Sequence, residues 1–138
     1  MLDWDGENPK VGMPVDAPKL IFALTADFNF GAKISEAAKA LGARSTAVRS
    51  LEDLPARLGV ATPDLVVVDL QLDRLDPAVV VQQVQGGAGG APVIAFGRHT
   101  EPGPLRAARQ AGCAEVLVRS DFFPRLAEVL GKHLGAGG

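Results

Sequence analysis

The run PDLVVVDLQLD, Pro63 to Asp73, carries hydrocarbon side chains from Leu65 to Val68 and then stops on an acid, Asp69. A carboxylate at that point is either a reactive group shown to solvent where a core strand ends, or polar punctuation held by loop amides. A second acid stands in a matching place: the apolar run Lys19–Thr25 is followed by Ala26 and Asp27. Other residues capable of chemistry are isolated. Cys113 is the single cysteine, so it forms no internal disulfide and anchors no metal cluster. Between Gly112 and an apolar run, it reads as a small buried residue rather than a nucleophile. His99 and His133 have no triad or metal spacing, and His133 near a helix C-terminus suits the helix dipole when protonated. GGAGGA, Gly86 to Ala91, follows a helical pattern and enters a strand, the reverse of a phosphate loop, and lacks the GK[ST] ending. It reads as a connection.

The elements that must position the two acids alternate along the chain. Apolar runs occupy Lys19–Thr25, Arg44–Arg49, Asp64–Asp69, Ala91–Gly97 and Ala114–Val118. They are short and mostly rich in β-branched residues, as buried parallel strands should be. Helical segments lie between and after them. Phe30, Ile34, Ala38 and Leu41 share one helical face, with Gly42 as the stop. Ser50 can cap Leu51–Leu58, with Asp53 completing a weak capping box. Asp76-Pro77 is a cap followed by proline at the first helical position, and Thr100-Glu101-Pro102 reads the same way. Ser120 can cap a last helix whose Phe122, Leu126, Val129 and Leu130 face one side. Asp73 and Asp76 read as turn and cap.

Five βα units imply an α/β fold, a parallel sheet covered by helices on both faces in three α/β/α layers. The expectation is a flavodoxin-like (βα)5 doubly wound sheet with strand order 2-1-3-4-5. Ligands of such sheets bind at the C-terminal strand ends, near the switch between strands 1 and 3. Asp27 and Asp69 therefore converge, although they are 42 positions apart in the chain.

Size and composition narrow the function classes. With 138 residues, 47% hydrophobic and 22% charged, the chain suits one ordinary globular domain. A net charge of −2 favours neither nucleic acid nor an anionic membrane. No apolar run approaches the ~20 residues of a membrane span, and the N-terminus has no signal-like apolar core, so a cytoplasmic protein is expected. Residues 1–18, with Pro9, Pro14 and Pro18, read as a flexible extension in which Trp4 could serve as an anchor. The folded domain is expected over 19–134, with 135–138 as a flexible tail.

From Lys19 to Leu134 the chain resembles the receiver domain of bacterial two-component response regulators. IFALTADF looks like that family's first strand and acidic turn, PDLVVVDLQL like its third strand, and QAGCAEVLVRS like the approach to and passage through its fifth. The resemblance puts Asp69 at the phosphoacceptor position. It also implies that Asp27, Asp69 and the Gln71 carbonyl would hold Mg²⁺ if the cation is retained, neutralising charge on the phosphoryl oxygens. The family pattern breaks elsewhere. Ala26 replaces one loop acid, Gly97 the hydroxyl residue ending strand 4, Arg119 the lysine ending strand 5, and Val116 the aromatic that reports phosphorylation. Thr100 restores the hydroxyl only if its loop is shortened. One lost carboxylate weakens attraction for a hard cation, and a guanidinium fork does not reproduce a compact ammonium.

The resulting reading is a degenerate, stand-alone receiver-like domain, a pseudo-receiver that is not an enzyme. It acts as a protein-interaction module in signal transduction without an efficient phosphorylation switch. The resemblance implies a protein partner, or a homodimer, on the face built by the fourth helix, fifth strand and fifth helix. Leu105, Arg106, Arg109, Val116, Arg119 and Phe123 would contribute to it. Three rivals remain: a working phosphoacceptor receiver with Mg²⁺, a small-ligand sensor using the strand-end crevice, and a bare structural domain of a larger assembly. DFNFG, Asp27 to Gly31, resembles a cobalamin-domain loop only faintly, because Asn29 stands where the histidine is needed. Flavin binding is disfavoured by a first loop without a Ser/Thr/Gly-rich phosphate site.

Overall fold

A computed structural model describes residues 18–87 and 90–136. The expected extension over 1–18, including Trp4, lies outside the described residues except for Pro18, as do the last two residues of the tail and the centre of GGAGGA. The strands are β1 (Leu20–Leu24), β2 (Arg44–Val48), β3 (Leu65–Asp69), β4 (Val93–Gly97) and β5 (Glu115–Val118). Between them run α1 (Phe28–Ala40), a 3₁₀ turn (Leu51–Asp53) leading into α2 (Leu54–Val60), α3 (Pro77–Gly87) and α4 (Pro102–Ala111). After β5 the chain forms α5 (Arg119–Phe122), a 3₁₀ turn (Phe123–Arg125) and α6 (Leu126–Ala136). All strand pairings are parallel, in the order β2-β1-β3-β4-β5. This is the expected doubly wound, flavodoxin-like sheet.

Burial explains the composition of the strands. β1, β3 and β4 are buried along their whole length, so both faces must be apolar. β2 and β5 are edge strands, partly exposed, and tolerate Arg44, Ser45, Thr46 and Glu115. Alternate residues divide between two cores. Phe22, Leu24, Val66 and Val68 pack with Leu54, Val80, Val84 and Leu105. Ile21, Ala23, Val67 and Phe96 pack on the opposite face with Ile34, Ala38, Phe122 and Leu130.

Several local expectations hold, and others do not. Asp76 caps α3, its Oδ1 accepting from Ala78 N at 3.0 Å. Ser50 Oγ accepts from Asp53 N at 3.3 Å, though the first turn it caps is 3₁₀. Leu41 leaves the apolar stripe, because it is already the C-cap of α1 and is 40% exposed. The Thr100-Glu101 cap does not form: Glu101 makes no side-chain cap bond and instead accepts from Gln71 Nε2 at 3.2 Å. Ser120 is not a cap, because helix begins one residue earlier, at Arg119. Among the described residues, no helix is long and apolar enough to cross a membrane.

Candidate functional site

The β1–β3 pairing, Leu24 against Val68, brings the residues after β1 to the end of β3. Thr25 Oγ1 donates to Asp69 Oδ2 at 2.8 Å, and both residues are buried. The same hydroxyl accepts from the Asp27 amide at 3.1 Å. Gln71 N donates to Asp69 Oδ1 at 2.9 Å. A buried carboxylate needs such donors. Thr25 is the residue that sequence reasoning passed over. The available signal was a hydroxyl placed directly after a buried strand and two positions before the loop acid.

Asp27 is occupied differently. It is the N-cap of α1, with Oδ1 accepting from Phe30 N at 3.0 Å, and it is exposed. Its carboxylate thus satisfies an orphan helix amide. Ala26 adds no oxygen. Among the described residues, no three His, Cys, Asp or Glu side chains gather closely enough to hold a metal ion. Asp69 and Asp27 with the Gln71 carbonyl would be the donors for Mg²⁺. Capping engages only Oδ1 of Asp27, so its other oxygen stays available, and with Ala26 in place of an acid the set offers one carboxylate fewer to a hard cation.

The remaining positions of the expected switch are filled rather than vacant. At Gly97 an added Cβ would sit 3.1 Å from Leu70 Cδ1 and 3.2 Å from Leu105 Cδ2. A side chain there would need the ends of these two buried leucines to shift by a few tenths of an ångström. Thr100 is exposed in the turn before α4. Arg119 does not reach toward Asp69 in any recorded hydrogen bond or ion pair among the described residues. Its guanidinium lies over the Phe30 ring, 4.8 Å from the centroid, and its buried Nε has no hydrogen-bond partner. That ring belongs to a cluster: Phe30 stacks on Phe123 at 4.8 Å, Phe96 stacks on Phe122 at 5.0 Å, and Phe30 meets Phe96 edge-on at 5.5 Å. Register sets Asp69 beside Phe96, so the aromatic cluster flanks the acid on the β4 side. Val116 is half-buried against the core shared with α3 and α4.

The expected interaction face is only partly a surface. Arg106 and Arg109 are exposed on α4, but Leu105 is buried because it packs against Gly97 and the core. Phe123 is half-buried in the ring cluster, with Lys33 Nζ 5.6 Å above it.

Two histidine and cysteine expectations change as well. His133 stands in the last turn of α6, as expected, but it is buried, and its Nε2 also lies 2.8 Å from Glu115 Oε1 on the edge strand. Lys132 Nζ reaches the same oxygen at 3.0 Å. The hydrogen bond to His133, aided by Lys132, holds the Glu115 carboxyl below its usual value despite opposing desolvation. Cys113 is half-buried, and burial pushes its thiol up to about 11.

The sequence matches no protein-family model and no curated protein sequence. Its fold, in contrast, is widely shared among solved structures. A response regulator from Thermotoga maritima superposes with a TM-score of 0.73 at 12% identity, covering 86% of this chain and 99% of that one. The receiver domain of a sensor histidine kinase from Pseudomonas aeruginosa PAO1, solved with magnesium coordinated in its active-site cleft, gives 0.72 at 20% identity over 86% of this chain and 99% of that one. The signal receiver domain of a Vibrio parahaemolyticus protein described as a Luxo repressor gives 0.73 at 16% identity over 88% and 93%. The structural neighbours of this chain are response-regulator receiver domains, and its fold is theirs.

Proposed function

We propose that residues 19–134 form a receiver-like signalling module that works through protein contacts and has no efficient phosphoryl switch. The observation that carries this reading is Gly97, which has no hydroxyl and where an added Cβ would meet the ends of Leu70 and Leu105 at 3.1 and 3.2 Å. A switch needs an element with two arrangements that the signal favours unequally. Here strand 4 ends against packed leucines, and the cation of strand 5 rests on an aromatic ring. Contacts with a partner, or with a second copy, would use the exposed Arg106 and Arg109 of α4 together with the partly exposed edge of β5.

The test is an amide NMR titration of the parent and Asp69→Asn with Mg²⁺, then with Mg²⁺ plus beryllofluoride as a phosphoryl mimic. The expected result is at most local, weak shifts near Asp69, with none spreading to α4 and β5. Shifts that reach those elements and vanish in Asp69→Asn would establish a working receiver and overturn the reading. Light scattering across a concentration series tests self-association. A monomer throughout would leave a different protein as the partner.

A further inference from the structure

A cleft of about 400 Å³ opens beside the Asp69 site, at the C-terminal ends of β1, β2 and β3. Its volume is that of a small-molecule pocket, and Asp69 is not part of its lining. Ala26, Leu51, Pro55 and Leu72 give it apolar walls. Two guanidiniums, Arg49 and Arg74, stand in the lining from opposite loops.

Three features show that this cleft is built for more than filling with solvent. Gln83 lines it from α3, and its buried Oε1 has no hydrogen-bond partner. An unsatisfied buried acceptor costs about 1–3 kcal/mol. The terminal amide torsion is broad and soft, so a small turn would aim either amide atom into the cleft. Arg74 is the one non-glycine residue with positive φ among the described residues, at 59°. It marks a tight turn at the rim of the cleft, where the Arg74 side chain is exposed beside Asp73. Arg49 is already aligned, its guanidinium stacked 4.3 Å over the Phe28 ring.

We propose that this cleft binds a mononucleotide. The apolar walls accept the faces of a planar base. A glutamine amide offers one donor and one acceptor to a base edge. Arg49 and Arg74 supply planar donor forks for the phosphate. The carboxylates of Glu52 and Asp73, which also line the cleft, accept from sugar hydroxyls. Inorganic phosphate would engage only the arginines and leave the walls and Gln83 unused. A purely apolar ligand would leave Gln83 unpaired and make no use of Arg49 or of Arg74, which in the free protein faces Asp73 with Nε 3.9 Å from Oδ2. The site goes beyond the phosphoryl question, because Asp69 is not in its lining, although the Leu72 amide donates to the Asp69 carbonyl at 3.0 Å.

The test is an amide NMR titration of the described domain within the full chain, using AMP, GMP, CMP and UMP separately, each to about 5 mM, the weak end of measurable affinity. At least one is expected to give saturable shifts at Ser50, Leu51, Leu72 to Arg74 and the Gln83 side-chain amide. Arg74→Asn keeps a residue tolerant of positive φ and removes the charge; Gln83→Leu removes the amide at similar size. Each is expected to weaken that nucleotide about tenfold, the worth of one good polar contact. No saturable shift with any of the four would overturn the proposal. So would identical shifts with inorganic phosphate alone, or unchanged affinity in both variants.

Discussion

Gly97→Ala asks whether the end of β4 has room for a side chain. In isolation the change should help. Glycine inside a strand is worse than alanine by about 0.5–1 kcal/mol, because it loses more freedom on folding. Gly97 is not among the positive-φ glycines, so alanine meets no backbone strain. The surroundings reverse the sign. The new Cβ would lie 3.1 Å from Leu70 Cδ1, 3.2 Å from Leu105 Cδ2 and 3.4 Å from Leu70 Cβ. Both leucines are buried, at 8% and 5% exposure, so their crowded terminal methyls have packed neighbours behind them. Overpacking of this kind costs about 1–3 kcal/mol. The net expectation is destabilisation of about 1 kcal/mol and a fall in Tm of roughly 3–6 °C. Urea unfolding of the parent, Gly97→Ala, Leu70→Ala and the double variant measures it. Leu70→Ala alone should cost about 2–5 kcal/mol. In that background Gly97→Ala should lose most of its penalty, a coupling of about 1 kcal/mol between neighbours in contact. A Gly97→Ala protein as stable as the parent would show that the leucines yield easily. The space would then be open to a hydroxyl, and the argument against a switch would lose its main support.

Thr25→Val removes the donor to Asp69 Oδ2 and the acceptor for Asp27 N, and chemical denaturation should show a loss of about 1.5–3 kcal/mol, with Thr25→Ser close to the parent. The His133 and Lys132 contacts hold the Glu115 carboxyl below its ordinary 4.5, so the stabilisation it contributes is present above that value and is lost as pH falls through the depressed one. Unfolding curves of the parent and Glu115→Gln should therefore differ at pH 7 and converge as pH falls through the depressed value; a gap that stays constant on acidification would refute the pairing. Burial of the Cys113 thiol predicts slow alkylation by iodoacetamide at pH 8 in the native protein, at roughly one-hundredth the free-cysteine rate or less, and a sharp rise in urea.

The fold was legible because its signals are local. Strands such as LVVVD and VIAFG are apolar on both faces, and that is a property of each run by itself. The Asp76-Pro77 start is likewise contained in neighbouring residues. The misses are long-range. Glu101 lost its cap role to Gln71, 30 residues away, and His133, in the last turn of α6, also found Glu115, 18 residues away. Leu105 was assigned to a surface because its neighbours Arg106 and Arg109 are there, but one helical step turns it into the core against Gly97. Convergence of Asp27 and Asp69 at one sheet edge followed from topology. That Thr25 would bridge them, and that Asp27 would use one carboxylate oxygen to cap α1, depended on side-chain geometry that spacing does not encode.

These placements bear on how such a site departs from a switching one. A lost functional group can leave a hole, which a single back-substitution would refill, or its space can be taken over by packing. Around Gly97 and Arg119 the second applies, whereas Ala26 is exposed and lines the open cleft. Leucines occupy the Gly97 side, a four-ring cluster flanks Asp69 on the β4 side, and Arg119 is anchored on one of those rings. Aromatic pairs of this kind contribute about 0.5–1.5 kcal/mol each beyond their burial, and a desolvated cation on a ring up to about 2 kcal/mol. Arg119→Lys would therefore exchange a planar fork stacked on Phe30 for an ammonium that packs less well on the ring. On the proposed reading, a phosphoryl switch would require changing packing and polar groups together, because the contacts at Gly97 and Arg119 help hold the sheet ends in one arrangement.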